Sequence, residues 1–554
     1  MNRARFIATL GPSSTDLRII SKMVEHGVTS FRLNTAHTEV DSVSKVTSLL
    51  RRVEITKGFN PPVILDLKGP EVRLRLRNND HVDVVEKQHY SIGSERDKCD
   101  FFFNLSSIAD SLKDGDIILV SDGKIRFKVK ANEGKSVLVI AESSESIRNN
   151  ARVNIPGKEL DLGVLTERDR LFIRKGIEEG VEFFALSFVQ NRKNVEELRK
   201  EIREFGGDQY VISKIETHSG VKNIDEICSV SDMIMVARGD LGVELPLEEI
   251  SIIQKRLIAR SHSFGIPTIV ATQMLESMIE SESPTRAEVA DISNALLDDA
   301  DALLLSGETA IGKHPVEAIE YLDRITKYVE SGIMEYPEPS EFRGNRIAYS
   351  VAKAAKMLSN DIGKDIVAMT KSGSTVRMLS ALRPKGKIYV ISQNRRLISR
   401  FYLYNNTYPL DLNIRSSKFE GIVDEIIHSN HFRRGELLVV TSGEHYFPFG
   451  GTNDVRFVLI GNFIGRGYPL GKGMEGKVTY DPSEDGDIFI CEKETSEDAF
   501  SKFQGIIFTF NPLNSVVEQL VWSNKSVLIS TSLKRRPREK EMIYVDPETG
   551  IIYN

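Results

Sequence analysis

The stretch VISKIE, residues 211–216, reads as a short buried strand ending in a lysine and a carboxylate two residues apart. Strand side chains alternate, so Lys214 and Glu216 emerge on the same side, at or just beyond the strand's C-terminal end. An ammonium and a carboxylate placed together there can hold a transferring phosphate and the metal that neutralises it. Alone, a Lys-x-Glu on a strand is an ordinary surface pair. A second carboxylate, Asp240, follows in MIMVARGDLG, again just past an apolar run.

Outward from this stretch, seven further apolar runs read as strands: FIATL (6–10), VTSFRL (28–33), VILDL (63–67), FFALSF (183–188), MIMVA (233–237), TIVAT (268–272) and ALLLS (302–306). Most are followed by helix-period segments such as NVEELRKEIREF or PVEAIEYLDRI. Eight strand–helix units predict an α/β fold, a closed parallel (β/α)8 barrel whose active site lies at the C-terminal mouth of the strands. The polar residues ending the runs are Arg32, Asn34, Asp66, Ser187, Lys214, Glu216, Asp240, Thr272 and Ser306, and their convergence outweighs any one of them. Residues 73–158 break the spacing with β-rich segments separated by DG, NEG and GKS turns. That pattern predicts a small antiparallel β domain inserted into a barrel loop, a lid able to exclude water.

The composition agrees with a large folded protein. With 554 residues, 40% hydrophobic and 27% charged, the chain has the make-up of a globular protein with sizeable cores. A net charge of -6 calls for no polyanionic partner. Cys99, Cys228 and Cys491 lie far apart, which argues against a disulfide framework and a cysteine-rich zinc site. The N-terminal apolar run is too short for a signal peptide or membrane span, so a cytoplasmic location and no membrane partner are expected.

The motifs ATLGPSS, FRLNTAH, LDLKGPEVR, VNIPGKELDL, ISKIETHSG, VARGDLGVELP, ATQMLESM, SPTRAE and LLLSGETAIGKHP stand in one order, and the chain resembles the pyruvate kinase family. That resemblance implies phosphoryl transfer from phosphoenolpyruvate to ADP, giving pyruvate and ATP. It implies Glu216 and Asp240 as ligands of Mg²⁺ (or Mn²⁺), and Lys214 against the moving phosphoryl group. It places Gly239 and Asp240 amides on the substrate carboxylate with Thr272 beside them, Ser306 near the mouth, and Thr272 in protonation of the enolate. Arg32 and Arg73 would reach phosphates, with Asn34, His37 and Pro12 beside the nucleotide. K⁺ is expected at Asn34, Asp66 and the Leu67 carbonyl.

Some residues depart from the family pattern. Ala36 stands where many relatives have a serine that helps bind the monovalent cation, whereas Glu71 matches potassium-dependent members. Ala151, beside Arg152, replaces a lysine that meets the nucleotide, leaving Arg152 or Arg148 to substitute.

From residue 336 the chain enters a new α/β segment. In DIVAMTKSGSTVRML, a strand, a polar loop and a helix form a phosphate cradle. The loop Thr370, Lys371, Ser372, Gly373, Ser374 and Thr375 resembles the family's effector-phosphate site, for AMP or a sugar phosphate, with FPFGGTN (447–453) as its covering loop. The tail beyond residue 461 resembles the swivelling domain of phosphoenolpyruvate-utilising enzymes, yet no histidine follows His445, which excludes phosphohistidine chemistry there. KRRPREK (534–540) reads as a solvated loop rather than a nucleic-acid patch. The expected division is a barrel at 1–72 and 159–335, a lid at 73–158, an effector and oligomer domain at 336–461 and an extra domain at 462–554, in a homotetramer. The alternatives are a metal-enolate lyase, which would lack the lid and the SKIE lysine, and a non-catalytic regulator, which would have lost Lys214 or a metal carboxylate.

Overall fold

The computed structural model describes residues 2–554 except 78–79, 94–98, 106, 159–162, 334–335, 337, 340, 413, 417–418, 430, 444–451, 462 and 548, and gives backbone alone at 54–57, 428 and 463. The covering loop expected at 447–453 therefore falls mostly outside the described residues.

Eight parallel strands close into a barrel: Arg5–Thr9, Val28–Asn34, Val63–Leu67, Phe183–Leu186, Tyr210–Ile215, Met233–Ala237, Thr268–Ala271 and Ala302–Leu305. Closure is made by the first strand, which pairs with the eighth through Arg5 opposite Ala302 and Ala8 opposite Leu305. Alternation sorts the side chains into two cores. On the fifth strand Val211 and Ile215 pack outward against the helices, whereas Tyr210 and Ile212 face the interior with Ile7, Ile64 and Ile269. Lys214 and Glu216 continue the inward-facing series, so the period of two carries them to the mouth.

Between the third and fourth strands the chain builds a second closed barrel of seven strands. Most of its pairs are antiparallel, as expected, but Ile92 and Phe101 belong to a parallel pair that completes closure. Its first and last strands, Val72–Leu76 and Ala151–Asn154, lie side by side with Arg152 opposite Arg73. The insert's own core, including Phe101, Phe127 and Val139, is fully buried.

Beyond the barrel a five-stranded sheet runs in the order Thr407–Pro409, Ile388–Ile391, Ile366–Met369, Leu437–Ser442, Asp454–Leu459, with the last strand antiparallel. Its helices share one apolar cluster with the barrel interior, in which Val376, Leu379 and Phe401 join Tyr210 and Ile212. The C-terminal stretch forms a third closed barrel of seven strands, from Phe463–Leu470 to Ile551–Tyr553. It packs on the preceding unit at Gly435, where a β-carbon would collide with the Tyr553 ring. No helix among the described residues is long and apolar enough to cross a membrane.

Candidate active site

The barrel mouth gathers most of the expected residues. Lys214 is 9% exposed, and its Nζ donates to Asp66 Oδ1 at 3.1 Å and Ser187 Oγ at 2.9 Å. It also lies 2.9 Å from Glu216 Oε1. Arg32 holds the other oxygen of Asp66, Nε to Oδ2 at 2.7 Å, and donates through Nη1 to Thr9 Oγ1 at 3.0 Å. One buried carboxylate on the third strand thus bridges two cations, from the second and fifth strands.

The electrostatics follow from this bridging. Burial would depress the Lys214 ammonium, but Asp66 and Glu216 outweigh it and hold the pKa above its usual value. Burial would raise Asp66, and Lys214 with Arg32 keeps it below the ordinary carboxylate range. Glu216 goes the other way: burial, aided by Asp240, lifts it against the pull of Lys214.

Asp240 lies in the first turn of the helix Arg238–Glu244 that follows the sixth strand. Its Oδ1 accepts a 2.5 Å hydrogen bond from Arg152 Nη1 of the insert, and the Arg152 guanidinium sits 5.1 Å over the Phe188 ring. The second arm, Nη2, is buried without a partner. Of the two substitutes for the missing lysine, Arg152 is the one at the mouth, while Arg148 ends the strand Glu145–Arg148 in a separate two-stranded ribbon. The cleft between insert and barrel has a volume of about 440 Å³ and is lined by Glu71, Arg152, Ser187, Phe188 and Glu244 among others.

Thr272 follows the seventh strand with φ +69°, a left-handed conformation rare for a β-branched residue. Arg238 pins it, donating to the Thr272 carbonyl at 2.8 Å and the Gln273 carbonyl at 3.1 Å. The Gly239 amide, expected to be open to a substrate carboxylate, donates to Thr272 Oγ1 at 2.8 Å. Ser306 is anchored through its amide to Glu308 Oε2 at 2.7 Å.

The residues expected to hold a divalent cation, Glu216 and Asp240, fit that chemistry. Glu216 Oε1 is buried and faces the Lys214 ammonium at 2.9 Å with no well-directed hydrogen bond, and a buried carboxylate oxygen with coordination capacity left suits a hard cation. Among the described residues no group of three or more His, Cys, Asp or Glu converges. For K⁺, Asn34 and Asp66 face each other across the second and third strands. The Asn34 side-chain oxygen accepts from the Ala36 amide at 3.1 Å, and the Leu67 carbonyl accepts from Ser187 at 2.8 Å. Those oxygens are polar and hard, as K⁺ requires. Glu71 lies 3.3 Å from Lys68 and accepts from Arg73 Nε at 3.0 Å.

His37 is exposed at a turn, its amide bonded to the Asn34 carbonyl at 3.2 Å, and Pro12 opens a short 3₁₀ turn beside the first strand. Residues 370–375 lie elsewhere, at the barrel's opposite end, where the Tyr210 hydroxyl donates to the Ser372 carbonyl at 3.4 Å. Sequence reasoning placed Ser187 at the mouth without giving it a role, and missed Thr9 and Arg238 as parts of the site. Ser187 was visible as a polar strand end, and Arg238 as a charge between an apolar strand and Gly239.

A (β/α)8 barrel with lysine and two carboxylates at its mouth and a β-barrel lid defines a metal-assisted phosphoryl-transfer enzyme. The description "Pyruvate kinase, barrel domain" matches residues 1–319, and "Pyruvate kinase, alpha/beta domain" matches residues 345–458. A pyruvate kinase of Thermoplasma acidophilum is 43% identical over 553 residues, covering 99% of this chain and 98% of that protein. One from Thermotoga maritima is 36% identical and covers 83% of this chain and 100% of its own length. The crystal structure of a pyruvate kinase from Cryptosporidium parvum superimposes with TM-score 0.76 at 28% identity, over 83% of this chain and 96% of its own. The chain belongs to the pyruvate kinase family. It transfers the phosphoryl group of phosphoenolpyruvate to ADP, giving pyruvate and ATP.

Proposed function

We propose that Lys214 is the centre of this transfer, with Arg32 beside it, and that Glu216 and Asp240 are the protein ligands of a Mg²⁺ or Mn²⁺ ion. The observation that carries the reading is the burial of Lys214 among Asp66, Ser187 and Glu216. Asp66 and Ser187 fix the ammonium in place, so its charge meets the phosphoryl group without reorganisation. When bound, the divalent cation supplies neutralisation of the phosphoryl oxygens. Gly239 and Asp240 amides receive the substrate carboxylate once Thr272 Oγ1 releases the Gly239 amide, and the freed hydroxyl then stands ready to orient a proton for the enolate. Ser306 borders the same mouth. Arg73, Asn34, His37 and Pro12 flank the nucleotide.

K⁺ is proposed at Asn34, Asp66 and the Leu67 carbonyl, with Glu71 supplying negative charge nearby. The chain is proposed to act in the cytoplasm as a homotetramer, divided into barrel (1–72, 159–335), lid (73–158), effector domain (336–461) and tail (462–554). Residues 370–375 are assigned to an effector phosphate, AMP or a sugar phosphate; the Thr375 and Thr452 hydroxyls, 2.5 Å apart, support closure of the covering loop onto them. The tail is proposed to be of the swivelling-domain class without its phosphohistidine, which leaves a structural role. The test is pyruvate formation from phosphoenolpyruvate and ADP with Mg²⁺, with and without K⁺. Turnover that rises with K⁺ is expected, and absence of pyruvate in both arms would overturn the reading.

A further inference from the structure

At the base of the catalytic barrel, opposite the mouth, a groove of about 640 Å³ separates the barrel from the helix Ser374–Leu382. Four arginines line it: Arg199 and Arg203 from the helix Arg192–Glu204, Arg343 from the connector, and Arg377 from the helix beyond the phosphate-cradle loop. The acids facing them are Glu196 and Asp232.

Two of the four cations are committed. Arg199 donates to the Val230 carbonyl at 2.7 Å and to Asp232 at 2.6 Å, and Arg343 donates to Asp225 at 2.9 Å. Glu196 is taken by Arg192 at 2.6 Å. Arg377, with its side chain only 27% exposed, reaches Asp232 at 3.6 Å, beyond hydrogen-bond distance. That carboxylate already carries Arg199 and the Val211 amide at 2.9 Å. Arg203 is exposed and makes no ion pair among the described residues. A solvated surface arginine explains Arg203 alone. It does not explain Arg377, a largely buried guanidinium whose ion pair is a long one to Asp232, a carboxylate already shared with Arg199 and the Val211 amide. Guanidinium forks match phosphate oxygens two at a time, and Phe264 and Ile266 supply an apolar wall beside them.

We propose that this groove binds a small phosphorylated molecule, its phosphate held between Arg203 and Arg377 and its body against Phe264. The site is separate from residues 370–375, and it draws donors from both the barrel and the C-terminal sheet unit. Because Asp232 also holds the Val211 amide of the catalytic strand, a ligand that relieves Arg377 of Asp232 acts on the strand that carries Lys214.

Pyrophosphate titrated calorimetrically into the full-length protein tests this. Saturable binding in the millimolar range or tighter is expected, and R203Q/R377Q should weaken it at least roughly a hundredfold, as loss of two charge-assisted contacts implies. Binding should persist in K214M and S374D, which disable the mouth and the cradle loop. R203Q alone, at an exposed position, should weaken binding about tenfold and serves if the double variant does not fold. No saturable binding, unchanged affinity in the arginine variants, or loss in K214M or S374D would each overturn the proposal.

Discussion

Lys214 satisfies its ammonium with Asp66, Ser187 and Glu216, so its removal leaves buried Glu216 without its cation and Asp66 with Arg32 alone, as well as deleting a charge. Lys214→Met should lower kcat/KM by about 10³-fold or more, read in a pyruvate-coupled assay; a rate within a few fold of wild type would remove Lys214 from the chemistry. At Arg152 the expected effect is on the lid. The Arg152–Asp240 bond joins insert to barrel across the cleft, so Arg152→Ala should speed amide exchange in the strand Ala151–Asn154 without slowing turnover to the extent of the Lys214 variant. Unchanged exchange there would mean that the pair does not hold the lid. Lys214, Glu216 and Asp66 were legible because each ends an apolar run. Ser187 also ends a run, but its bond to Lys214 was not legible, since that lysine comes from the adjacent strand and distance along the chain carries no information about neighbours across a barrel.

Among the elements, the first strand and the turn after it show how closely the barrel's ends are fitted. A β-carbon on Gly11 would come 2.5 Å from the Ala310 carbonyl oxygen, and backbone there cannot swing aside as a side-chain tip can. Gly11→Ala should therefore destabilise the protein by about 1–3 kcal/mol, measured as a lower thermal midpoint. The eight barrel strands were readable from their repetition with helices, and so was the strand–loop–helix order of Ile366–Met369 and Ser374–Leu382. The insert was readable as β but not as a closed barrel, because the parallel pairing of Ile92 with Phe101 leaves no mark in the alternation. The left-handed Thr272 was equally silent, for its conformation is imposed by Arg238 from outside the strand.

For the molecule as a whole, a buried charge cluster joins barrel to C-terminal sheet. Arg383 donates to Asp299 and Asp301 at 2.7 Å each, and His262 Nε2 lies 2.8 Å from Asp301. Burial would depress His262, but Asp301 and Asp299 prevail and hold it up at about 9. A raised histidine stabilises the folded state fully below its ordinary value of about 6.5, and the contribution drains as pH climbs through about 9. Thermal midpoints should fall across that window, and His262→Gln should flatten the fall; an equal slope in both proteins would contradict the assignment. Deletion after Gly461 should leave turnover intact while lowering the thermal midpoint, since it uncovers Gly435 where Tyr553 packs; a folded truncation without turnover would contradict a structural role for the tail. The tail's barrel was hard to read because its short strands pair far out of chain order. The catalytic barrel has a similar property with a consequence in biosynthesis. Its first strand, Arg5–Thr9, finds its closing partner only when Ala302–Leu305 has been made, whereas the insert is complete by Asn154 and has its own buried core. On the ribosome the lid can thus fold first, and the unfinished barrel assembles later around a domain that is already shaped.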